Sequence, residues 1–350
     1  MTLRDAVRTA TNTVSTTSRT LAEVSGNPSA PHLDRIAAFS ALIANEIGDT
    51  WLRRSRAVER DFDRARVYLK FEGENPTGTQ KDRIAFAQVE EALIEDYGTV
   101  ALATCGNYGV AVALACSLAG LDCEIFIPDA YHTDRLAEME VLGARIHRPP
   151  GTYEDAVAFS SAQARRNGWY DANPGSNNTD LQLRAYSGIA DEIVQQLGHA
   201  PGTVAVPVSN GTLLAGIFQG FERLRNAGRI IALPRMVAAS STAKNPVVES
   251  FRAGSKRCQD LRPERIHETK INEPLINWHS FDGQEALNAV YESGGAAYGI
   301  SDQKLRQMSA YLKQKEALQV LPASTAGLIA LTEHPHDEPG SSVAVLTAKR

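Results

Sequence analysis

Short apolar runs alternate along the chain with longer stretches whose apolar residues recur every three or four positions. Two such pairs are adjacent in the first half of the chain. "TVALAT" (99–104) precedes "GNYGVAVALACSLAG" (106–120), and "DCEIFIP" (122–128) precedes "DRLAEMEVLG" (134–143). The short runs have the length of buried strands, and the longer ones have helical periodicity. Because strands that alternate with helices are typical of parallel, helix-covered sheets, the pattern predicts an α/β protein.

The same alternation extends towards both ends of the chain. Further strands are predicted in "GARIHRP" (143–149), "TVAVPVSNG" (203–211) and "SVAVLTAKR" (342–350), and further helices in 84–98, 152–168 and 212–228. The charged segment 254–270 interrupts the pattern and is expected to lie on the surface. Ligands of open parallel sheets bind at the carboxyl ends of the strands, so functional residues are expected in the loops that follow predicted strands.

Composition and charge narrow the class of ligand. The chain has 350 residues, of which 43% are hydrophobic, and this is enough for a large core and two domains. Lys and Arg total 36 against 41 Asp and Glu, so no broad basic field is available for nucleic acid or anionic lipid. No apolar run approaches the roughly 18 residues that a membrane span requires. We therefore expect a small-molecule ligand, with no nucleic acid and no membrane partner.

The cysteines and the N-terminal stretch bear on the compartment. Cys105, Cys116, Cys123 and Cys258 are too few for a disulfide framework and lack the CxxC spacing of metal sites. We therefore expect no disulfide and no metal, in a reducing, cytoplasmic compartment. The first two dozen residues are rich in Ser, Thr and Arg. They are expected to form a polar arm, with a transit peptide as the alternative.

One stretch, "ENPTGTQKDR" (74–83), places a lysine where a cation is unfavourable. Lys81 follows Pro76, Gly78 and two threonines at the start of a predicted helix, which is the positive end of the helix dipole. The helix terminus and partial burial both disfavour the ammonium form and leave a neutral, nucleophilic amine. Lys81 is therefore a candidate for covalent catalysis. The alternative is a surface lysine in a first helical turn, compensated by Asp82.

Two further loops follow predicted strands. "TCGNYG" (104–109) and "VSNGTLLAG" (208–216) each bring glycine to the start of a helix. Backbone amides at the positive end of a helix form an anion site, so the second loop is a candidate for phosphate binding. It has neither the Walker lysine nor GxGxxG spacing, which argues against a nucleotide. A tight turn and close helix packing are the alternative explanation for Gly211 and Gly216.

A series of stretches resembles threonine synthases and related fold-type II pyridoxal-phosphate enzymes, the group of the tryptophan synthase β chain. They are "LKFEGENPTGTQKDR" (69–83), "ATCGNYGVAVA" (103–113), "GWYDANP" (168–174), "SNGTLLAG" (209–216), "ESGGAAYGISDQKL" (292–305), "LPASTAGLIAL" (321–331) and "VLTAKR" (345–350). The resemblance covers about residues 65–350, and motifs in a fixed order rarely arise by chance. It implies pyridoxal 5′-phosphate as cofactor. It also implies two open, helix-covered, mostly parallel sheets, with the cofactor in the cleft between a larger and a smaller domain.

The resemblance assigns roles around the cofactor. Lys81 matches the lysine that forms a Schiff base with it, Asn107 the asparagine at its 3-hydroxyl, and Thr347 the hydroxyl residue that faces its pyridine nitrogen. The residues that match the phosphate-binding loop are Ser209, Asn210, Gly211, Thr212 and Leu213. Without the resemblance, Asn107 would be a helix N-cap and Thr347 an ordinary strand residue. A hydroxyl partner, unlike an aspartate, leaves the pyridine nitrogen largely unprotonated, which suits elimination and replacement better than transamination.

Domain limits follow from the same comparison of motifs. We expect an N-terminal arm with the start of the larger domain (1–64), a cofactor-lysine segment (65–98), the smaller domain (99–178) and the larger domain, which binds the cofactor phosphate (179–350). Related enzymes often pack their N-terminal segment on a partner subunit, so a homodimer is expected.

The substrate stays open. Threonine synthases act on O-phosphohomoserine, and such a substrate needs a second anion site. The candidate substrate-binding residues are Thr79, Gln80, Arg83, Thr104, Cys105, Tyr108, Arg184 and Lys244. Each could instead be a solvated charge, a turn residue or a packing residue. The family commonly has Ser-Phe where Thr79 and Gln80 stand, and an acid where Leu321 stands.

The implied activity is that of a pyridoxal-phosphate-dependent lyase or synthase in amino-acid biosynthesis, with a carbon–oxygen lyase acting on phosphates as the first choice. It would eliminate or replace a β or γ substituent of an O-phosphorylated amino acid, as in threonine synthesis or in a divergent relative that makes another amino acid. A serine or threonine dehydratase, or a cysteine- or cysteate-synthase-like enzyme acting on O-phosphoserine, is the enzymatic alternative. A degenerate binding protein on the same fold is the non-enzymatic one.

Overall fold

The computed structural model describes residues 16–349 except 105, 132 and 334–339. The chain forms two compact units, and each unit is built from two separate stretches. The first unit contains the residues up to Gly48 together with Asn75–Gln182, and the second contains Asp49–Glu74 together with the residues from Leu183 onwards. The units therefore alternate along the sequence.

Strands and helices alternate within both units. The strands are β1 (Leu52–Arg54), β2 (Val67–Phe71), β3 (Thr99–Ala103), β4 (Asp122–Phe126), β5 (Arg145–His147), β6 (Tyr170–Asp171), β7 (Thr203–Pro207), β8 (Arg235–Ser241), β9 (Ala296–Ile300) and β10 (Ser342–Leu346). The helices of the first half of the chain are α1 (Thr16–Ser25), α2 (His32–Glu46), α3 (Arg56–Asp61), α4 (Lys81–Ile94), α5 (Asn107–Ala119), α6 (Leu136–Val141) and α7 (Tyr153–Asn167). Those that follow are α8 (Thr179–Leu197), α9 (Thr212–Asn226), α10 (Pro246–Arg252), α11 (Gly283–Glu292), α12 (Asp302–Lys315) and α13 (Ala326–Glu333). The strands and helices predicted from the sequence are confirmed, with ends that differ by a few residues.

The first unit contains a four-stranded parallel sheet in the order β5-β4-β3-β6. Strand β3 is apolar on both faces because helices cover both sides, as is typical of parallel sheets. Helix α5 is buried along its whole length after Asn107. Its Gly, Ala and Val side chains are small enough for close packing against neighbouring elements.

Helix α1 lies in the stretch that was expected to be a polar arm. Ser18 and Ala22 are buried one helical turn apart, and the hydroxyl of Ser25 donates to the Leu118 carbonyl oxygen at 2.7 Å. This face of small side chains packs into the first unit, so the arm from residue 16 onwards belongs to a folded core. Residues 1–15 lie outside the described residues.

The second unit contains a six-stranded sheet in the order β1-β2-β10-β7-β8-β9. All neighbouring strands are parallel except β1, which pairs antiparallel with β2 at the edge. The C-terminal strand β10 is central, and its residues from Val343 to Leu346 are fully buried. Thr347 directly follows β10, so it lies at the carboxyl edge of this sheet.

Two surface features complete the fold. Most residues of the segment 254–270 are exposed, which confirms the predicted surface excursion. Within the described ranges, no helix combines the length and the apolar character that crossing a membrane would require.

Candidate functional site

Lys81 is the first residue of α4, directly after a tight turn. The Gly78 amide donates to the Asn75 carbonyl oxygen at 2.7 Å, and Gly78 has a φ of 84°, in the left-handed region that favours glycine. The Lys81 amide donates to Thr79 Oγ1 at 3.3 Å. The glycine of the motif therefore permits the turn that places the lysine at the helix start, as the sequence predicts.

The Lys81 side chain lies over an aromatic ring of the next helix. Its Nζ atom is 5.4 Å from the centroid of the Tyr108 ring, within the range of a cation–π contact. The Tyr108 hydroxyl donates to the Ala172 carbonyl oxygen at 2.8 Å and accepts from Gln88 Nε2. Burial raises the pKa of Tyr108. The Tyr108 ring therefore contacts the side chain of Lys81, and the Tyr108 hydroxyl is hydrogen-bonded to Ala172 and Gln88 of the same unit.

Asp82 stabilises the turn before Lys81 through hydrogen bonds to Thr77. It is fully buried, and it accepts hydrogen bonds from the Thr77 amide at 3.0 Å and the Thr77 hydroxyl at 2.8 Å. Burial raises the pKa of Asp82 to about 7, against the lowering effect of the Thr77 hydrogen bonds and of the Arg135 charge. The sequence suggested only that Asp82 compensates a nearby charge, because burial cannot be seen in a single pair of adjacent residues.

Asn107 is held by an arginine from the loop after β4. Gly106, rather than Asn107, occupies the N-cap position of α5, so the capping alternative does not apply. Asn107 Oδ1 accepts a hydrogen bond from Arg135 Nη1 at 2.5 Å. Sequence reasoning missed Arg135, although the loop between β4 and α6 also follows a parallel strand and was therefore a place to expect functional residues.

The loop 208–212 turns its carbonyl groups towards donors of the second unit. Asn245 Nδ2 donates to the Ser209 carbonyl oxygen at 3.0 Å, the Ser280 hydroxyl donates to the same oxygen at 3.2 Å, and the Asp282 amide donates to the Asn210 carbonyl oxygen at 3.1 Å. Asn277 Nδ2 donates to Asn210 Oδ1 at 2.9 Å. These bonds hold the loop through its acceptors, and its backbone amides are donors of the kind that a phosphate requires.

Position 211 requires glycine for two reasons, its backbone conformation and the lack of room for a Cβ atom. Its φ is 101°, and a Cβ atom there would lie 2.6 Å from the Asp282 carbonyl oxygen and 2.8 Å from the Ala286 Cβ. Gly211 is the N-cap of α9, and among the described residues no side chain caps this helix. The first amides of a helix have no intrahelical partner and point outwards. The Thr212 hydroxyl donates to Asp282 Oδ2, so Thr212 offers an anion its backbone amide.

The residues that support this loop were missed in the sequence. They are Asn245, Asn277, Ser280 and Asp282. Asn245 carried a signal, since Asn-Pro is typical of a helix N-cap followed by proline at the first helical position, and Asn245 does cap α10. The other three follow the charged surface segment, where composition alone gives no indication of a supporting role.

Thr347 follows β10 and pairs with a buried serine. Its Oγ1 lies 2.9 Å from Ser324 Oγ, and Ser324 is fully buried. The Ala348 amide donates to Ser324 Oγ at 3.0 Å. The hydroxyl of Thr347 is therefore fixed in place at the end of the central strand rather than rotating as on an ordinary strand residue.

The candidate substrate residues differ in their surroundings. In the first unit, Thr79, Arg83 and Thr104 are buried, and Gln80 is half-buried. In the second unit, Lys244 Nζ donates to the His267 carbonyl oxygen at 2.5 Å, and Arg184 is exposed. Arg184 lines a surface depression together with Ser187, Gln219, Glu222, Arg223 and Asn226. Cys105 lies outside the described residues, and the other three cysteines are free thiols.

The described groups fit a phosphorylated pyridine aldehyde. Such a cofactor needs an amine for its aldehyde, a donor for its 3-oxygen, backbone amides for its phosphate and a polar partner for its ring nitrogen. Lys81, Asn107, the α9 terminus with Gly211, and Thr347 are groups of these kinds.

The chain also matches known proteins across most of its length. A model of the family described as "Pyridoxal-phosphate dependent enzyme" matches residues 43–348. The threonine synthase of Methanocaldococcus jannaschii is 30% identical over 286 residues, which are 81% of this chain and 69% of that protein. The threonine synthase of Methanosarcina acetivorans is 28% identical with the same coverage.

Solved structures agree in fold. A threonine deaminase of T.th. has a TM-score of 0.74 at 20% identity, covering 91% of this chain and 98% of that one. Maize serine racemase has a TM-score of 0.72 at 19% identity, covering 91% and 94%. The chain therefore belongs to the pyridoxal-phosphate dependent enzyme family, has the α/β fold of its fold-type II members, and uses pyridoxal 5′-phosphate as its cofactor.

Proposed function

We propose that the protein catalyses elimination or replacement at the β or γ carbon of an O-phosphorylated amino acid, with conversion of O-phosphohomoserine to threonine and phosphate as the first candidate. The observation that carries the proposal is the 30% identity with an archaeal threonine synthase over 81% of the chain. The family match over residues 43–348 includes the motifs that contain Lys81, Asn107 and Thr347.

The proposal gives each of these residues a task in holding the cofactor. Lys81 binds its aldehyde through Nζ, and Asn107 donates to its 3-oxygen. The amides of residues 209–213 bind its phosphate at the start of α9, and Thr347 faces its ring nitrogen. When bound, pyridoxal phosphate supplies an electron sink for the negative charge that develops at the substrate Cα.

Lys81 then moves protons. Its Nζ would serve as general base and acid for the proton of the substrate Cα, which the cofactor acidifies as an electron sink. It removes the Cα proton and returns protons at later steps, which is general acid–base catalysis by a positioned amine. The Tyr108 ring, 5.4 Å from Nζ, limits where the amine can swing.

Thr347 favours elimination over transamination. A hydroxyl is neutral, so it does not stabilise a positive charge on the ring nitrogen as an aspartate does. The hydrogen bond with Ser324 keeps the hydroxyl at one position. This supports a lyase or synthase more than an aminotransferase.

The substrate phosphate needs a second anion site, and the burial of the candidates ranks them. Thr79 is 1% exposed and Arg83 is 6% exposed, so an anion bound there would be shielded from water and held more strongly. Lys244 is half-buried, and Arg184 is exposed to solvent. We therefore assign the phosphate of the substrate to Thr79 and Arg83, two positions from Lys81 on either side.

The test is a substrate screen on the cofactor-loaded protein. O-phosphohomoserine, O-phosphoserine, serine, threonine and vinylglycine are supplied separately, and phosphate, threonine and keto-acid formation are measured. We expect phosphate and threonine from O-phosphohomoserine. Keto acid from serine or threonine without phosphate turnover would instead identify a dehydratase. A protein that binds the cofactor and acts on none of these compounds would contradict the proposal.

A pair of variants tests the phosphate assignment in the same assay. Arg83→Gln should raise KM for O-phosphohomoserine by about tenfold or more, since a hydrogen bond to a charged group contributes roughly 1.5–3 kcal/mol. Arg165→Gln, which changes an exposed arginine of α7 in the same unit, should leave KM unchanged.

We also propose that the enzyme is a homodimer and works in the cytoplasm without nucleic-acid or membrane partners. Support for the dimer comes from the general preference of oligomers for two-fold symmetry. Light scattering should give twice the chain mass, and the chain mass alone would contradict this part.

A further inference from the structure

Arg135 joins Asn107 to two other segments of the first unit through hydrogen bonds. It is 9% exposed and donates to three partners on different elements. Nη1 donates to Asn107 Oδ1 at 2.5 Å, Nη2 to the Thr77 carbonyl oxygen at 3.2 Å, and Nη2 and Nε to the Glu138 carboxylate at 2.8 and 3.3 Å. A planar guanidinium held at both ends in this way has little rotational freedom.

The chemistry of the guanidinium fixes the orientation of the Asn107 amide. Arginine has five N–H donors and no acceptor. The atom of Asn107 that faces Arg135 must therefore be the carbonyl oxygen, because an amide nitrogen would place donor against donor. Covalent geometry then directs Nδ2, which carries only donors, away from Arg135.

We propose that Arg135 is a positioning residue for the cofactor: by holding the oxygen of Asn107, it presents only amide N–H donors to the cofactor's 3-oxygen and so favours the ionised form of that oxygen. The inference rests on the proposed contact between Asn107 and the 3-oxygen. A donor can be satisfied by a phenolate oxygen, whereas a phenol would bring its own proton to the contact.

Arg135 also links the two segments that are proposed to bind neighbouring substituents of the cofactor's pyridine ring. Thr77 belongs to the turn that ends at Lys81, and Asn107 opens α5. The aldehyde and the 3-oxygen are attached to adjacent ring carbons, so the lysine and the asparagine must keep a fixed separation. One guanidinium bonded to both segments provides it.

Among the described residues, Glu138 on α6 and Asp82 on α4 are acidic side chains that interact with Arg135. Glu138 pairs with it directly, and the Arg135 charge acts on Asp82 through space. The Glu138 carboxylate holds the Arg135 cation at this position. The cation also withdraws electrons from the Asn107 oxygen and makes the amide N–H a stronger donor.

A double-mutant cycle between Arg135 and Asn107 tests the inference. The dissociation constant of pyridoxal phosphate is measured for the wild type, Arg135→Gln, Arg135→Lys, Asn107→Ala and Arg135→Gln/Asn107→Ala, with Arg165→Gln as control. We expect Arg135→Gln to weaken binding by about tenfold, as for a lost charged hydrogen bond, and Arg135→Lys to recover most of it. In the Asn107→Ala background Arg135→Gln should have less than about a twofold effect, because residues that act through one another are not additive.

Spectroscopy separates positioning from a general loss of structure. The visible band of the bound cofactor is titrated with pH, and in Arg135→Gln its ionisation should move to higher pH, with Arg135→Lys close to the wild type. Equal losses of affinity in both backgrounds, or an unmoved titration, would overturn the inference. A wild type that shows the band but no turnover of phosphorylated amino acids would contradict the proposed function and leave the role of Arg135 standing.

Asn107→Asp keeps the test decisive if Arg135→Gln does not fold. The new carboxylate retains a partner for Arg135 but has no donor for the 3-oxygen. Binding should weaken at least as much as in Asn107→Ala. Wild-type affinity in Asn107→Asp would overturn the inference.

Discussion

The hydroxyl oxygens of Ser324 and Thr347 lie 2.9 Å apart, and Ser324 Oγ also accepts from the Ala348 amide at 3.0 Å. These bonds join the short 3-10 turn Pro322–Thr325 to the end of the central strand β10. Through them a fully buried side chain orients the hydroxyl that is proposed to face the ring nitrogen of the cofactor.

Ser324→Ala should therefore reduce both stability and cofactor binding. The change leaves the buried Ala348 amide without its acceptor, which costs about 1–3 kcal/mol, and it frees the Thr347 hydroxyl to rotate. Urea unfolding of the apoprotein and a titration with pyridoxal phosphate measure the two effects.

Ser309→Ala is the matched control for this change. Its hydroxyl donates to the Val320 carbonyl oxygen at 2.8 Å in the same unit, so the variant loses a hydrogen bond away from Thr347. It should lose stability and keep its affinity for the cofactor. Equal cofactor affinity in Ser324→Ala and Ser309→Ala would rule out the positioning of Thr347 by Ser324.

Gly211→Ala should weaken binding of the cofactor phosphate in particular. A methyl group at this position meets the Asp282 carbonyl oxygen at 2.6 Å, and a left-handed backbone costs a residue with a Cβ atom roughly 1–2 kcal/mol. The loop must shift away from the start of α9. Affinity for pyridoxal phosphate should fall, while affinity for pyridoxal, which has no phosphate, should change little.

Gly228→Ala separates backbone strain from the clash. Gly228 has a φ of 69° and no neighbour within 4 Å of an added Cβ atom. This variant should show the conformational cost in unfolding and retain phosphate-dependent binding. If Gly211→Ala lowers the affinities for pyridoxal phosphate and pyridoxal by the same factor, the loop is not the phosphate site.

Asp82 makes stability depend on pH. Burial raises its pKa from 3.8 to about 7 in the folded state, so the folded protein binds this proton more tightly than the unfolded chain does. The resulting stabilisation is fully present below the lower value and is lost as pH rises through the higher one, by up to about 1.4 kcal/mol per pH unit between them.

Asp82→Asn should remove this contribution to the pH dependence. Unfolding free energies of the two apoproteins are compared at pH 5 and pH 8. The wild type should lose stability relative to Asp82→Asn as the pH rises. A difference between the two proteins that is the same at both pH values would show that the carboxyl group does not titrate in this window.

Local pattern was sufficient to predict the order of elements. The β3–α5 and β7–α9 pairs were found because strand and helix periods are properties of neighbouring residues. The sequence did not predict that β10 lies between β2 and β7, or that the helices before Gly48 pack with residues 75–182. Those arrangements depend on contacts between residues that are far apart in the chain, and periodicity carries no information about them.

In the candidate site, too, local motifs could be predicted from the sequence and contacts between distant residues could not. Lys81, Asn107 and Thr347 were identified because they lie in motifs of adjacent residues. Arg135 and Ser324 were not, since each acts through a partner that is 28 or 23 residues away. Pairings of this kind are determined by the fold, and a lone arginine or serine gives no signal in the sequence.

The most direct test of the central claim is borohydride reduction of the cofactor-loaded protein followed by peptide mass spectrometry. A lysine that binds the aldehyde of the cofactor becomes permanently labelled on reduction. We predict one pyridoxyl label on the peptide that contains Lys81, unchanged in Lys313→Ala, an exposed lysine of α12, and absent in Lys81→Ala together with the visible band. A label on a different lysine, or a loaded protein that reduction leaves unlabelled, would contradict the assignment of Lys81 as the cofactor lysine.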